Sequence, residues 1–104
     1  MISQNKISEV VNKIVSDYQP EKIMLFGSYQ NGIPDDESDL DLLIIKQTDL
    51  RKFERATEVK KIFDSYPCPM DIVVFTPDEF EHSKSILNTL AYIVEKNHRV
   101  LYAK

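Results

Sequence analysis

The sequence has few of the features that mark disulfide-stabilised or membrane-spanning proteins. It contains a single cysteine, Cys68, which excludes an intrachain disulfide and is compatible with a reducing compartment. No apolar run approaches the roughly 18 residues of a membrane-spanning helix, and the amino terminus lacks an apolar signal segment. We therefore expect a cytoplasmic protein that does not enter a membrane.

The sequence also lacks a run of basic residues. Thirteen lysines and arginines stand against seventeen aspartates and glutamates, which gives a net charge of −4. This balance argues against direct nucleic-acid binding and leaves an acidic surface that suits a basic protein partner. The 104 residues are 42% hydrophobic and contain no repeat or linker. We expect one globular domain over residues 1–104.

The spacing of apolar residues predicts alternating helices and strands. Pro67 and Pro69 end the second long helix, and Thr76 with Glu79 forms a capping box that starts the third. We expect this third helix to bury Phe80, Ile86, Leu87, Leu90, Ile93 and Val94. The pattern predicts helices at 7–18, 49–66 and 77–96, a helical turn at 28–32, and strands at 22–26, 40–46, 70–75 and 99–102. This order indicates a two-layer α/β (α+β) fold, in which helices pack on a small mixed sheet.

Two aspartates stand at the entrance of the second predicted strand. Because side chains alternate along a strand, Asp39 and Asp41 project to the same side, about 6–7 Å apart. The intervening Leu40 then points towards the core. Neighbouring carboxylates repel each other, and a hard divalent cation such as Mg²⁺ is the natural partner for them.

The first predicted strand ends abruptly at Gly27 and Ser28. Glycine permits close approach of the backbone, and serine adds a hydroxyl donor. A strand that ends this way before a helical turn presents backbone N–H groups, which suit a phosphate. Together with the aspartates, this turn indicates a site for a metal-chelated nucleoside triphosphate. The alternatives are an ordinary strand-ending turn and a solvated strand entrance.

Asp71 interrupts the otherwise apolar third strand. A carboxylate buried there without a partner would be strongly disfavoured, so it should lie at the open end of the strand or beside a cation. A lysine is the alternative partner to a metal ion.

The segment Gly27-Ser28, ten residues, Asp39-Leu40-Asp41 resembles the GSx₁₀DxD signature of the DNA polymerase beta-type nucleotidyltransferases. The whole chain most resembles the minimal nucleotidyltransferases, which are often antitoxins of HEPN-domain ribonuclease toxins. The resemblance implies a nucleotidyltransferase fold in which Asp39, Asp41 and Asp71 are catalytic and hold two Mg²⁺ ions. It also implies that Gly27 and Ser28 bind the nucleotide.

The resemblance further implies transfer of a nucleoside monophosphate, AMP from ATP, to a hydroxyl. The acceptor would be a tyrosine of a HEPN toxin that the protein neutralises. One departure is Asn31, which stands where these relatives usually carry an arginine. The alternatives are a binding module that neutralises the toxin by occlusion and, ranked last, a small-molecule nucleotidyltransferase. A homo-oligomer is compatible with the sequence.

Overall fold

Four strands form one mixed sheet in the computed structural model, which describes residues 1–104. The sheet order is β3-β2-β1-β4. Strands β2 and β3 are parallel, whereas β1 is antiparallel to both of its neighbours. The strands are β1, Lys22–Phe26; β2, Leu40–Ile45; β3, Met70–Phe75; and β4, Arg99–Ala103.

Five helices surround this sheet, and none is long and apolar enough to cross a membrane. The predicted class, a small mixed sheet with helices packed on it, is confirmed. Ser3 caps the first helix by accepting a hydrogen bond from the backbone N–H of Lys6. The helices are α1, Gln4–Tyr18; α2, Ser28–Asn31; α3, Lys52–Lys60; α4, Pro77–Ser83; and α5, Leu90–Lys96.

The main core lies between one face of the sheet and helices α1 and α3. Alternate residues of β2, namely Leu40, Leu42 and Ile44, are fully buried in it. The apolar stripe of α1 covers this face, so the helical spacing in the sequence does correspond to a packed surface. A smaller cluster covers part of the opposite face, where Phe80 of α4 and Val94 of α5 pack on Leu43. Asp41 lies on this second face, since it alternates with Leu40 and Leu42.

The predicted helix at 77–96 is wrong in one respect, because it is broken between Ser83 and Leu90. Asn88 adopts a left-handed backbone conformation, with φ of 71°. Thr89 then caps α5 by accepting from the N–H of Tyr92, and its hydroxyl donates to the carbonyl of Ser83. Local side-chain bonds of this kind compete with a continuous helix. As a result, four residues predicted to be buried are exposed instead: Ile86, Leu87, Leu90 and Ile93.

The second long helix is also shorter than predicted. Thr48 accepts from the N–H of Leu50 in a turn and does not cap the helix, which begins at Lys52. Phe53 is 70% exposed, whereas Arg55 is only 5% exposed. A polar side chain therefore occupies the buried side of α3.

Arg55 joins three elements around the carboxyl end of β3. Its guanidinium makes a bidentate ion pair with Glu79, at 2.6 and 3.1 Å, and donates to the carbonyl oxygens of Leu50 and Val74. Glu79 also accepts from the backbone N–H of Thr76, which completes the predicted capping box. The hydrogen bond from Arg55 is the main cause that lowers the pKa of Glu79 to about 2.

We predict that Glu79→Gln lowers the free energy of unfolding by about 1–3 kcal/mol at pH 7, because a charge-assisted pair is lost. The folded-state pKa of Glu79 lies below its ordinary value of 4.5. Its contribution is therefore complete above that ordinary value and fades as the pH falls towards the folded-state value. Urea unfolding of both proteins across this range measures the difference.

Glu81→Gln is the matched control, because Glu81 pairs with Lys84 at the surface of the same helix. We expect its effect to stay within about 0.5 kcal/mol. A stability difference for Glu79→Gln that is the same at pH 7 and pH 3 would contradict the assignment.

Candidate active site

The carboxylates lie together at one end of the sheet. Asp41 of β2 is in register with Asp71 of β3 on one side and with Phe26 of β1 on the other. Residues in register project from the same face, and neighbouring strands are about 4.8 Å apart, so the two carboxylates are adjacent. Asp39 precedes Asp41 by two residues at the entrance of β2. The register of β2 with β3 therefore brings Asp41 beside Asp71, whereas Asp39 precedes the paired residues.

The carboxylates also influence each other electrostatically. Asp41 is half-buried, whereas Asp39 and Asp71 are exposed. Burial raises the pKa of Asp41 above its ordinary value, and the nearby charges of Asp71 and Asp39 raise it further. The site therefore concentrates negative charge that lacks a cationic side chain to balance it.

Gly27 allows the Asp41 carboxylate to occupy its position. Its backbone has φ of 75° and ψ of −154°, a combination that is almost confined to glycine. A Cβ atom at this position would lie 2.0 Å from Oδ2 of Asp41. Contact with Asp41 therefore explains why glycine stands at position 27. The expectation from the sequence was that this glycine lets a phosphate approach the backbone.

Ser28 is the first residue of α2, directly after this glycine. The carbonyl oxygen of Gly27 accepts from the N–H groups of Gln30 and Asn31, which closes the single helical turn. Tyr29 packs against the core, and its hydroxyl accepts from the N–H of Ile2 at 2.8 Å. The side chain of Tyr29 is therefore occupied by packing and by this hydrogen bond.

Lys46 does not contribute to the site. It lies beyond the opposite end of β2, where its Nζ donates to the carbonyl oxygens of Tyr18 and Gln19 at the end of α1. Lys46 therefore stabilises the end of α1 and does not place a positive charge near Asn31.

The side chains as they stand do not converge on one point. No group of three or more His, Cys, Asp or Glu residues is arranged to hold a metal ion. The donor set is nevertheless of the kind that Mg²⁺ prefers, since it consists of carboxylate oxygens on an open face of the sheet. None of the five surface cavities is lined by Asp39, Asp41 or Asp71.

The family of this chain follows from comparison of its sequence with known families. Residues 5–100 match the family model described as polymerase beta, nucleotidyltransferase, and the chain belongs to this family. Over 51 residues, which are 47% of this chain, it is 43% identical to a protein of Methanocaldococcus jannaschii named as a candidate protein adenylyltransferase. The match spans about half, 51%, of the length of that curated relative.

Solved structures show the same fold. A candidate nucleotidyltransferase from Sulfolobus solfataricus superposes with a TM-score of 0.65 at 20% identity, over 94% of this chain and 78% of the other. A toxin–antitoxin structure with AMP-PNP superposes with a TM-score of 0.59 at 24% identity, over 93% of this chain and 73% of the other. The nucleotidyltransferase fold expected from the motif is confirmed.

We predict that Gly27→Ala destabilises the protein by about 1–3 kcal/mol from backbone strain alone, with a further cost because Asp41 must move. Gly32→Ala is the matched control, since Gly32 also has positive φ but a Cβ there meets no atom within 4 Å. Urea unfolding measures both effects. The extra cost at Gly27 should disappear in an Asp41→Gly background, and equal costs at the two glycines would refute the contact.

We also predict that Asp71→Asn shifts the pKa of Asp41 downwards, because one of the two neighbouring charges is removed. The pKa of Asp41 should still lie above its ordinary value in this variant, since burial is the larger cause of the shift. Carboxyl carbon chemical shifts followed during an NMR pH titration measure this change. Asp36→Asn, in the exposed loop before β2, should leave the titration of Asp41 unaltered. An unchanged Asp41 titration in Asp71→Asn would refute the proximity.

Proposed function

We propose that this chain is a nucleotidyltransferase that transfers AMP from ATP to a hydroxyl group. The observation that carries the proposal is the register of Asp41 with Asp71 beside the Gly27–Ser28 turn. Membership of the polymerase beta nucleotidyltransferase family supports it. The 43% identity to a candidate protein adenylyltransferase points to a protein as the acceptor.

In the proposed reaction, the acceptor hydroxyl oxygen attacks the α-phosphorus of ATP. A new phosphorus–oxygen bond forms, the bond to the oxygen that bridges the α- and β-phosphates breaks, and pyrophosphate leaves. Asp71 is exposed at the edge strand, where an incoming hydroxyl can reach it, and accepts the proton. Ser28 and the turn that follows Gly27 donate hydrogen bonds to phosphate oxygens.

Asp39, Asp41 and Asp71 would hold Mg²⁺, two ions in this proposal. When bound, the metal supplies positive charge that neutralises the phosphates and the attacking and leaving oxygens. Burial is the main cause that raises the pKa of Asp41, and the charges of Asp71 and Asp39 raise it further. The repulsion from those two carboxylates is what a bound cation would relieve.

We propose a tyrosine hydroxyl of a HEPN ribonuclease toxin as the acceptor, so that the chain acts as an antitoxin in the cytoplasm. The fold is shared with a toxin–antitoxin structure with AMP-PNP, which supports a protein partner and an adenine nucleotide. The resemblance of the whole chain to the minimal nucleotidyltransferases supports the same kind of partner.

We predict that Asp39→Asn together with Asp41→Asn abolishes labelling of the partner protein by Mg-ATP labelled at the α-phosphate. The matched control is Asp35→Asn together with Asp36→Asn, which removes the same charge from the exposed loop before β2. ATP labelled at the γ-phosphate should give no labelled protein in any case. Intact mass of the partner should show one or more added adenylyl groups with the wild type and the control. Undiminished labelling by the motif variant would exclude the mechanism.

The second candidate function is a binding module that neutralises its toxin by occlusion. Exposed apolar side chains on and before α5, including Leu87 at 67% and Ile93 at 56%, favour it, because such patches often mark protein contacts. Asn31, in place of a charged side chain, favours weak catalysis. Neutralisation that survives loss of Asp39, Asp41 and Asp71 would identify occlusion as the mechanism, whereas its loss would identify transfer.

A further inference from the structure

Helix α2, which begins at Ser28, depends on side-chain contacts for its position, and Tyr29 packs against the main core. The helix has only four residues, well below the length at which an isolated helix is stable, and none of them is buried. Gly27 precedes it and Gly32 follows it, both with positive φ. The orientation of α2 must therefore come from contacts that its side chains make with the rest of the protein.

Side chains from two different parts of the chain supply these contacts. On one side, the hydroxyl of Tyr29 accepts a hydrogen bond from the N–H of Ile2, ahead of α1. On the other side, the amide of Asn97 bridges two residues of α2. Its Nδ2 donates to Oδ1 of Asn31, and its Oδ1 accepts a long, 3.5 Å bond from Nε2 of Gln30.

The backbone of Asn97 is held in place by hydrogen bonds. Asn97 is the residue that ends α5, and its backbone N–H donates to the carbonyl oxygens of Ile93 and Val94. Val94 is fully buried in the smaller core cluster, and β4 begins two residues after Asn97. The side chain of Asn97 therefore connects the short helix α2 to the junction between α5 and β4.

We infer that Asn97 is a positioning residue, which holds α2 through Asn31 and so sets the direction in which Ser28 and the backbone N–H groups after Gly27 point. This inference rests on the proposed function, because it assigns the turn to the triphosphate. Asn31, at the position where relatives usually carry an arginine, acts here through a neutral amide pair that orients the helix. A sequence cannot show this pairing, since Asn31 and Asn97 are 66 residues apart.

The test uses the full chain with Mg²⁺ and AMP-PNP as the probe, in isothermal titration calorimetry. Asn97→Ala should weaken binding by about tenfold, the most that loss of ordinary hydrogen bonds is expected to cost. Asn31→Ala should weaken binding to a similar extent. The double variant should be no weaker than either single variant, because both remove the same contact. Asn12→Ala, on the exposed side of α1, is the matched control and should bind as the wild type does.

A second measurement does not depend on the nucleotide. In Asn97→Ala, the backbone amide resonances of Gly27 and Ser28 should shift and their order parameters should fall, while the unfolding midpoint in urea stays close to that of the wild type. If these resonances and the affinity are both unchanged, or if the two single effects on affinity add, the inference is overturned and the proposed function stands. If the wild type does not bind AMP-PNP, the assignment of the turn to the triphosphate fails, and the inference fails with it.

Discussion

Repulsion between carboxylates at the end of the sheet is the constraint on which the site depends. Asp41 and Asp71 are adjacent because β2 and β3 are parallel and in register, and the pairing of two otherwise apolar strands holds them there. The energy that keeps like charges together comes from the buried leucines and isoleucines of the same strands. A site of this kind stores unfavourable electrostatic energy that a bound cation can release.

At the opposite end of β3, two unlike charges form an ion pair. Arg55 and Glu79 connect α3 to α4, and Arg55 also donates to the carbonyl oxygen of Val74 in β3. The acidic end of the strand is left open, whereas this end is closed by an ion pair. The Arg55–Glu79 ion pair therefore lies at the other end of β3 from the carboxylate of Asp71.

Much of the fold could be predicted from the sequence, because its signals are local. The apolar stripe of α1, the four strands and the capping box at Thr76 each follow from spacing within about fifteen residues. The alternation of Asp39, Leu40 and Asp41 likewise predicts two carboxylates on one side of a strand. The break before α5 was missed, although Asn88 and Thr89 suit a left-handed residue followed by a helix cap.

Other features could not be predicted, because they depend on contacts between distant segments. Arg55 lies in a stretch whose spacing suggests an ordinary surface position, and only the placement of Glu79 opposite explains its burial. The contact of Gly27 with Asp41 requires the pairing of β1 with β2. The bridge from Asn97 to Asn31 similarly requires α5 to end beside α2.

The parallel pairing of β2 with β3 has a consequence for the order in which the molecule forms. Strands β1 and β2 are antiparallel neighbours in the chain, so Gly27 can meet Asp41 by closing a short loop. Asp71 reaches its place only after the 24-residue crossover at 46–69, which includes α3, has folded back over the sheet. Long-range pairings of this kind are slow to form. In a chain still being synthesised, Gly27 can thus meet Asp41 before Asp71 is available, and Asp71 joins Asp41 only once β3 pairs with β2.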